Sequence, residues 1–315
     1  MKDYRIILES SKTKNYLVTI AIGDKYYNDW KKYAYPLWKR YVKRYDLGII
    51  VFIDNLIDKN SDYFKKATWQ KLLIGDTLRD LEVENICYLD TDILINPFAP
   101  NVFENYKKNN IGIVSIRYNL PYNLDVILRR IAFYRHTYYD KSYPLDSALF
   151  ISLEELYKYH NLESQEDEFC AGMFIFNKKH FDIMKQMFFK YPKSIDSITG
   201  GGDQTHVNYE FFKYGKIQYF DYKFQAIWNY EMAWKYPFLY STFRNDKKVI
   251  KECVEASLMS NYFLHFAGSW YESEMWKIKG ILEDKFEMLE KFDEYLKIPV
   301  TGKPKGIIKP QKGDN

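Results

Sequence analysis

Ile86-Cys87-Tyr88-Leu89-Asp90-Thr91-Asp92-Ile93-Leu94-Ile95 is an apolar run that stops at two carboxylates one residue apart and then turns apolar again. A short continuous apolar run reads as a strand buried on both faces, as in a parallel sheet covered by helices. Carboxylates are almost never fully buried unless they are paired or bound to a metal. Asp90 and Asp92 therefore belong at the strand's carboxyl end, where open α/β sheets place their ligands. Two hard oxygen ligands this close suit Mn²⁺ or Mg²⁺, with water and phosphate oxygens completing the shell. A strand end with simply solvated carboxylates has the same sequence, so the stretch alone leaves both readings open.

The flanking sequence supplies the sheet. Residues 16–23 read as a first buried strand ending at Gly23-Asp24. Over 26–45, Trp30, Tyr33, Ala34, Leu37, Trp38, Tyr41 and Val42 recur at helical spacing, with Pro36 kinking or dividing the helix. Residues 49–54 form a second strand, and a helix over about 62–80 carries Trp69, Leu72, Leu73 and Ile74 with Lys71 beside them. Strand–helix–strand–helix–strand within 95 residues implies right-handed crossovers and a parallel sheet. No Gly-x-Gly-x-x-Gly follows any of these strands, which argues against a dinucleotide-binding fold.

The chain has 315 residues, enough for one large α/β domain or two small ones. A net charge of +4 neither demands nucleic acid nor excludes an anionic ligand. The 30 Tyr, 22 Phe and 7 Trp serve a sugar-stacking surface and a core equally well. Cys87, Cys170 and Cys253 lie far apart, without a CxxC, and fit a reducing cytosol rather than a disulfide framework or zinc site. Residues 1–11 lack a signal-peptide apolar region, and no stretch reaches the roughly 18 apolar residues of a membrane span. A soluble, cytoplasmic protein is expected.

Beyond the central strand, 111–116 reads as another strand. Residues 117–168, mixing Tyr118, Tyr122, Phe133, Tyr134, Tyr138, Tyr139 and Tyr143 with Arg117, Arg129, Arg130 and Arg135, read as a partly helical insertion. It is either an acceptor platform or an ordinary surface subdomain. Its arginines form a solvated basic face or meet an anionic acceptor or membrane surface. Residues 171–177 return to strand character and 179–191 to helix. Gly200-Gly201-Gly202-Asp203-Gln204 then opens a further helix, where glycines let backbone approach a ligand and Asp203 either caps the helix or faces the site. His265, in the strand-like 262–270 segment, is either a satisfied core residue or a ligand. Residues 301–315 lack periodicity and read as a disordered tail.

In order, these pieces resemble the metal-dependent GT-A glycosyltransferases, in particular the retaining glycogenin and galactosyltransferase group (family 8), over roughly 16–270. The opening strand is similar at Thr19-Ile20-Ala21-Ile22 with Lys25 and Tyr26, and the helix before the metal motif at Gln70-Lys71-Leu72. The Asp-x-Asp strand is similar at Tyr88-Leu89-Asp90-Thr91-Asp92. The "Phe-Asn-(Ser/Ala)-Gly" strand is similar at Phe169-Cys170-Ala171-Gly172-Met173-Phe174. The Gly-Asp-Gln helix start is similar at Gly202-Asp203-Gln204, and the His-Phe-x-Gly metal segment at His265-Phe266-Ala267-Gly268. Two departures stand out. Cys170 replaces the usual Asn, and Ser269-Trp270-Tyr271 follows Gly268 where the family continues Lys-Pro-Trp, leaving Lys277 or another basic residue to contact phosphate.

The resemblance implies a single GT-A catalytic domain over 1–300, with a Rossmann-like, mostly parallel sheet flanked by helices. Its nucleotide-sugar half spans 14–116, the acceptor-side insertion 117–168 and the second half 169–300. It implies transfer of glucose or galactose from a UDP-sugar with retention, using Mn²⁺ (or Mg²⁺) held by Asp90, Asp92 and His265. Ala21, Ile22 and Tyr26 would line the base and ribose pocket, and Lys71 and Gly268 would serve the diphosphate. Alternatively Asp90 touches the ribose and meets the metal through one oxygen, while Asp203 and Gln204 would take the catalytic positions on the sugar face. The acceptor stays open between a glycan, a lipid-linked sugar and a protein side chain, and a homodimer is compatible with the aromatic surface. Three rivals are a haloacid-type phosphatase, whose Asp-x-Asp opens the fold, a sugar-nucleotide nucleotidyltransferase, and a catalytically silent GT-A scaffold that only binds carbohydrate.

Overall fold

The structure is a computed structural model that describes residues 4–10, 12–139 and 147–297. The expected tail at 301–315 and Tyr143 of the insertion lie outside the described residues. The chain divides into two compact units, Met1–Ile281 and Leu282–Asn315. In the second, the described part is a short turn of helix and the helix Phe286–Lys297. Everything below concerns the first.

Ten strands are described: β1 Tyr4–Leu8, β2 Asn15–Ile20, β3 Gly48–Phe52, β4 Asn85–Leu89, β5 Ile93–Ile95, β6 Ile111–Ile113, β7 Met173–Asn177, β8 Ile217–Tyr219, β9 Ala226–Ile227 and β10 Phe263–His265. Seven form one sheet in the order β1-β3-β2-β4-β7-β6-β8. Within it β2, β3, β4, β6 and β8 run one way, against β1 and β7, so the sheet is mostly parallel, as expected. Every residue of β3, β4 and β7 is buried, the condition under which continuous apolar runs are stable as strands. Val18, Ile50, Phe52, Ile86, Tyr88, Phe174 and Phe176 belong to one core with Leu72, Leu73, Ile74, Phe181, Met184, Phe188 and Phe211 from the flanking helices.

The second sheet is small, ordered β5-β10-β9, with β10 antiparallel to β5 and parallel to β9. The central stretch therefore serves two sheets: β4 ends in the large one, and β5 begins the small one after three intervening residues. The helical run after β2 shows how Pro36 is accommodated. Asp24–Asp29 is α-helical, Trp30–Ala34 widens into a π turn, and α-helix resumes at Tyr35–Tyr45 with Pro36 in its first turn, where no amide donor is needed. Trp38 on this helix donates from Nε1 to the Ile93 carbonyl (2.8 Å), fixing it against β5.

Several expectations are corrected. Residues 4–8, to which the sequence assigns no element, are a strand, pairing antiparallel with β3 at the sheet's edge. The helix expected over 62–80 is three short pieces, Ala67–Gln70, a 3₁₀ turn at Lys71–Leu73 and Ile74–Thr77. The insertion carries helices Leu124–Tyr138, Ser147–Phe150 and Leu153–Tyr159, and a Ser115–Phe169 bridge closes its base. Its arginines do not form one basic face. Arg135 is buried in an ion pair with Glu272, Arg129 pairs with Asp125, and Arg130 lies over Trp234. Among the described residues no helix is long and apolar enough to cross a membrane.

Candidate metal centre and adjoining cavity

Parallel strands bring their carboxyl ends to one edge, so β2, β3 and β4 finish together. Beyond β4, Asp90 continues the ladder by donating its amide to the Gly172 carbonyl (2.8 Å) ahead of β7. The chain then turns through Thr91 and Asp92 into β5. Because β10 pairs with β5 and His265 lies opposite Ile93, the histidine is delivered beside the turn from 175 residues away, a number set by 265 − 90.

Asp90, Asp92 and His265 converge, each offering one ligand atom within 4.8 Å of the others. His265 Nε2 lies 3.4 Å from Asp92 Oδ1 and 3.8 Å from Asp90 Oδ2. Ligands about 2.1 Å from a common divalent cation stand roughly 3 Å apart when adjacent, so these separations suit such an ion after slight contraction. Asp92 Oδ1 is buried and makes no hydrogen bond among the described residues, a state that costs free energy unless something positive faces it. A Cβ on Gly172 would fall 2.7 Å from Asp90 Oδ2 and 2.3 Å from His265 Cε1, so glycine leaves the space between the ligands open. By donor set, orphaned oxygen and open space, the three residues fit a divalent cation.

Neighbouring groups orient the ligands. The Tyr88 hydroxyl donates to Asp90 Oδ1 (2.6 Å), leaving Oδ2 toward His265. Behind the imidazole, His265 Nδ1 is 3.6 Å from Cys170 Sγ and 3.2 Å from Gln225 Nε2, which itself donates to the Cys170 carbonyl (3.0 Å). Burial alone would push the His265 pKa down. The Cys170 thiol and the Asp92 carboxylate outweigh it and hold the ring well above its ordinary value until a cation displaces the proton.

Lys71 and Asp203, placed on the diphosphate and the sugar in the sequence reading, meet each other, Nζ to Oδ2 at 3.0 Å, both buried. Lys71 also donates to the Ala171 carbonyl (2.7 Å) and lies over the Tyr88 ring. Burial opposes its charge, but Asp203 and Asp90 raise its pKa, so it stays an ammonium. Asp203 precedes the helix Gln204–Tyr214 but makes no side-chain cap bond, which corrects the capping alternative. Gly200 and Gly201 take positive φ, and Lys66 and Thr68 donate to their carbonyls (2.7 and 2.9 Å), so this turn packs on protein. Ala21 lies at the end of β2, bonded to the Phe52 carbonyl (2.8 Å). Ile22 is half-buried and Tyr26 exposed on the first helical turn. Lys277 is paired with Asp29 and Glu274.

Alongside the triad opens a cavity of about 150 Å³, lined on the site side by Cys170, Gln204, Ala267 and Gly268. Gly268 holds φ at +99°, which a side chain would strain. Glu168, absent from the sequence reading as a site residue, forms the cavity's polar wall. It accepts from Gln204 Nε2 (2.6 Å) and pairs with Arg117 (2.7 Å), almost fully buried. Its sequence signal was a carboxylate directly preceding the apolar stretch that leads into β7. Asn229 and Gln225 carried no comparable signal, because their positions follow only from how 225–229 meets β10.

No protein-family model matches the chain, and no curated protein is similar in sequence. Among solved structures, one similar chain is a glycosyltransferase involved in glycosylation of the major capsid of PBCV-1 (10% identity, TM-score 0.44, covering 84% of this chain and 98% of that one). Another is the glycosyltransferase GlyE of Streptococcus pneumoniae TIGR4 (14%, 0.45, 92% and 66%). A third is the galactosyltransferase LgtC in complex with donor and acceptor sugar analogues (14%, 0.43, 90% and 98%). At these TM-scores the likeness carries no argument about function, which is read from the site.

Proposed function

We propose that the protein is a GT-A glycosyltransferase that moves a sugar from a UDP-sugar to a hydroxyl-bearing acceptor in a metal-dependent reaction. The observation that carries this reading is the convergence of Asp90, Asp92 and His265 at the carboxyl edge of a mostly parallel α/β sheet, beside a cavity. Retention of configuration, glucose or galactose as the donor sugar, and Mn²⁺ as the preferred ion follow from the resemblance of the motifs. Cys87, Cys170 and Cys253 are all free and buried, in keeping with action in a reducing cytoplasm.

In this reading Asp90, Asp92 and His265 hold the cation, which when bound supplies positive charge to a departing diphosphate. Tyr88 orients Asp90 so that one oxygen is always presented to the site. The ammonium of Lys71, held by Asp203 and the Ala171 carbonyl, is the basic group assigned to the diphosphate, whose charge it would meet by exchanging the Asp203 carboxylate for phosphate. Ala21, Ile22 and Tyr26 border the nucleoside. Gln204, held by Glu168, presents its amide to the sugar, and the apolar cavity walls keep bulk water from competing with the acceptor.

The test is donor hydrolysis across UDP-, GDP- and CDP-sugars with Mn²⁺, Mg²⁺ or EDTA, repeated on Asp92→Asn. Metal-dependent release of one nucleotide, lost in the variant, is the expected result. Hydrolysis indifferent to both EDTA and the substitution would sink the proposal. UDP binding with metal but without turnover on any acceptor would favour a silent scaffold.

A further inference from the structure

We propose that the cavity beside the triad binds a neutral sugar unit carrying an acetamido group, an N-acetylhexosamine. As a substrate assignment this rests on the transferase reading, but the binding chemistry stands on the cavity itself. Its apolar lining includes Leu124, Leu128 and Leu149 of the insertion together with Ile227. In the same cavity, Arg117 and Glu168 neutralise each other through two bonds to one carboxylate oxygen (2.9 and 2.7 Å). A charged ligand group would have to break that buried pair, whereas a neutral one leaves it intact.

Asn229 makes the discrimination sharper. It lines the cavity, is nine-tenths buried, and spends its Nδ2 on the Ala267 carbonyl (3.4 Å). Its Oδ1 is buried and has no donor among the described residues, and a small turn of the amide is what brings it to a ligand in the cavity. A buried acceptor left unpaired costs free energy that a ligand donor recovers. An acetamido group carries an N–H and a methyl on one small planar unit, so it gives Asn229 its missing donor while laying the methyl on the leucines. A plain hydroxyl supplies the donor but wastes the aliphatic wall, and a hydrocarbon chain fills the wall but leaves Asn229 unpaired.

The unit comes either from the acceptor's end or, in place of the glucose or galactose that the motif resemblance implies, from the donor, and two arms separate these. One compares hydrolysis of UDP-N-acetylglucosamine with UDP-glucose. The other compares methyl N-acetylglucosaminide with methyl glucoside as acceptor, using the donor found above. Independently of turnover, saturation-transfer NMR on the full chain compares the same two methyl glycosides. The acetamido methyl is expected to receive the strongest saturation, with affinity roughly tenfold above the glucoside. Asn229→Leu and the half-buried Leu128→Asn are each expected to cut that preference toward unity. Equal affinity for the two glycosides, or a preference that survives both substitutions, overturns the proposal. Calorimetry of UDP with Mn²⁺ runs alongside. An acetamido preference without UDP binding upholds the cavity and defeats the transferase reading, and UDP binding without the preference does the opposite.

Discussion

Gly172 bears directly on the triad's geometry, because a side chain there would enter the space between two ligands. Gly172→Ala places a methyl group within van der Waals overlap of both Asp90 and His265. We expect Mn²⁺ affinity, read by calorimetry, to fall by roughly 10–100-fold, the range seen when ligand orientation is disturbed. Far-UV circular dichroism should be unchanged. Tight Mn²⁺ binding by the variant would mean the three residues do not share one ion. His206 supplies a prediction of a different kind. It is buried against the rings of Trp69, Tyr191 and His160, and burial, then His160 and Lys190, lower its pKa to about 4. In the unfolded chain it titrates near 6.5. The folded value is the lower one, so acid protonates the unfolded state first. The stability it preserves is complete above about pH 6.5 and is lost as pH falls toward 4, by up to about 1.4 kcal/mol per pH unit. Urea midpoints at pH 7 and pH 5 should differ less in His206→Phe than in wild type. An equal loss in both would show that the imidazole is not responsible.

The insertion helix Leu124–Tyr138 is tied down at its far end by a buried cluster, and this is where that element is most vulnerable. Arg135 donates from Nε and Nη2 to Glu272 Oε1 (2.9 and 2.6 Å), Tyr139 donates to Oε2 (2.5 Å), and the guanidinium lies 4.0 Å over Trp270. Arg135→Ala leaves Glu272 charged and fully buried, a change expected to cost about 3–5 kcal/mol in denaturant unfolding. Arg135→Met with Glu272→Leu removes both charges and should recover most of that. A double variant as unstable as the single one would mean the pair stabilises by more than charge cancellation. This cluster also shows what sequence could not reveal. Arg135 read as one basic residue among several because its partner stands 137 positions away, as 272 − 135, and nothing local marks it. Elements with a complete local signature were legible: β3, β4 and β7 are unbroken apolar runs, and each was expected within a few residues of where it lies. Strand β1 was missed because its residues are only half-buried or exposed at an edge, so no face of it is consistently apolar. The long helix expected over 62–80 failed differently. Its apolar residues pack on the sheet from three short pieces, a spacing that periodicity cannot distinguish from one continuous helix. In the site, Asp90, Asp92 and His265 were legible through the ordered motifs, while Glu168 and Asn229 became visible only once the insertion closed over the cavity.

Across the whole molecule, the triad lies where the two sheets meet, beside protein contacts such as the Gln225 bond to the Cys170 carbonyl. Asp90 follows the last residue of β4 in the large sheet, His265 sits in the small one, and the tight turn through Asp92 is one of the places where the chain passes between them. A cation bound to all three would therefore act on the fold and not only on a substrate. A ligand that binds only the native state stabilises it by about 2.7 kcal/mol at a hundredfold excess over its Kd. Thermal unfolding of wild type should rise on adding Mn²⁺ and return with EDTA. Asp92→Asn makes the sharper comparison, since its buried carboxylate oxygen faces the His265 ring and makes no regular hydrogen bond among the described residues. Replacing that charge by a neutral amide should leave the metal-free protein about as stable as wild type, because the His265 ring that faces the carboxylate sheds its proton when the counter-charge is removed. The same variant should gain nothing from Mn²⁺. Those two outcomes together separate a site strained for a ligand from a site that merely supports the turn. If Asp92→Asn instead lowers metal-free stability, the carboxylate is structural and the centre must be read as a sheet junction rather than as a cation site.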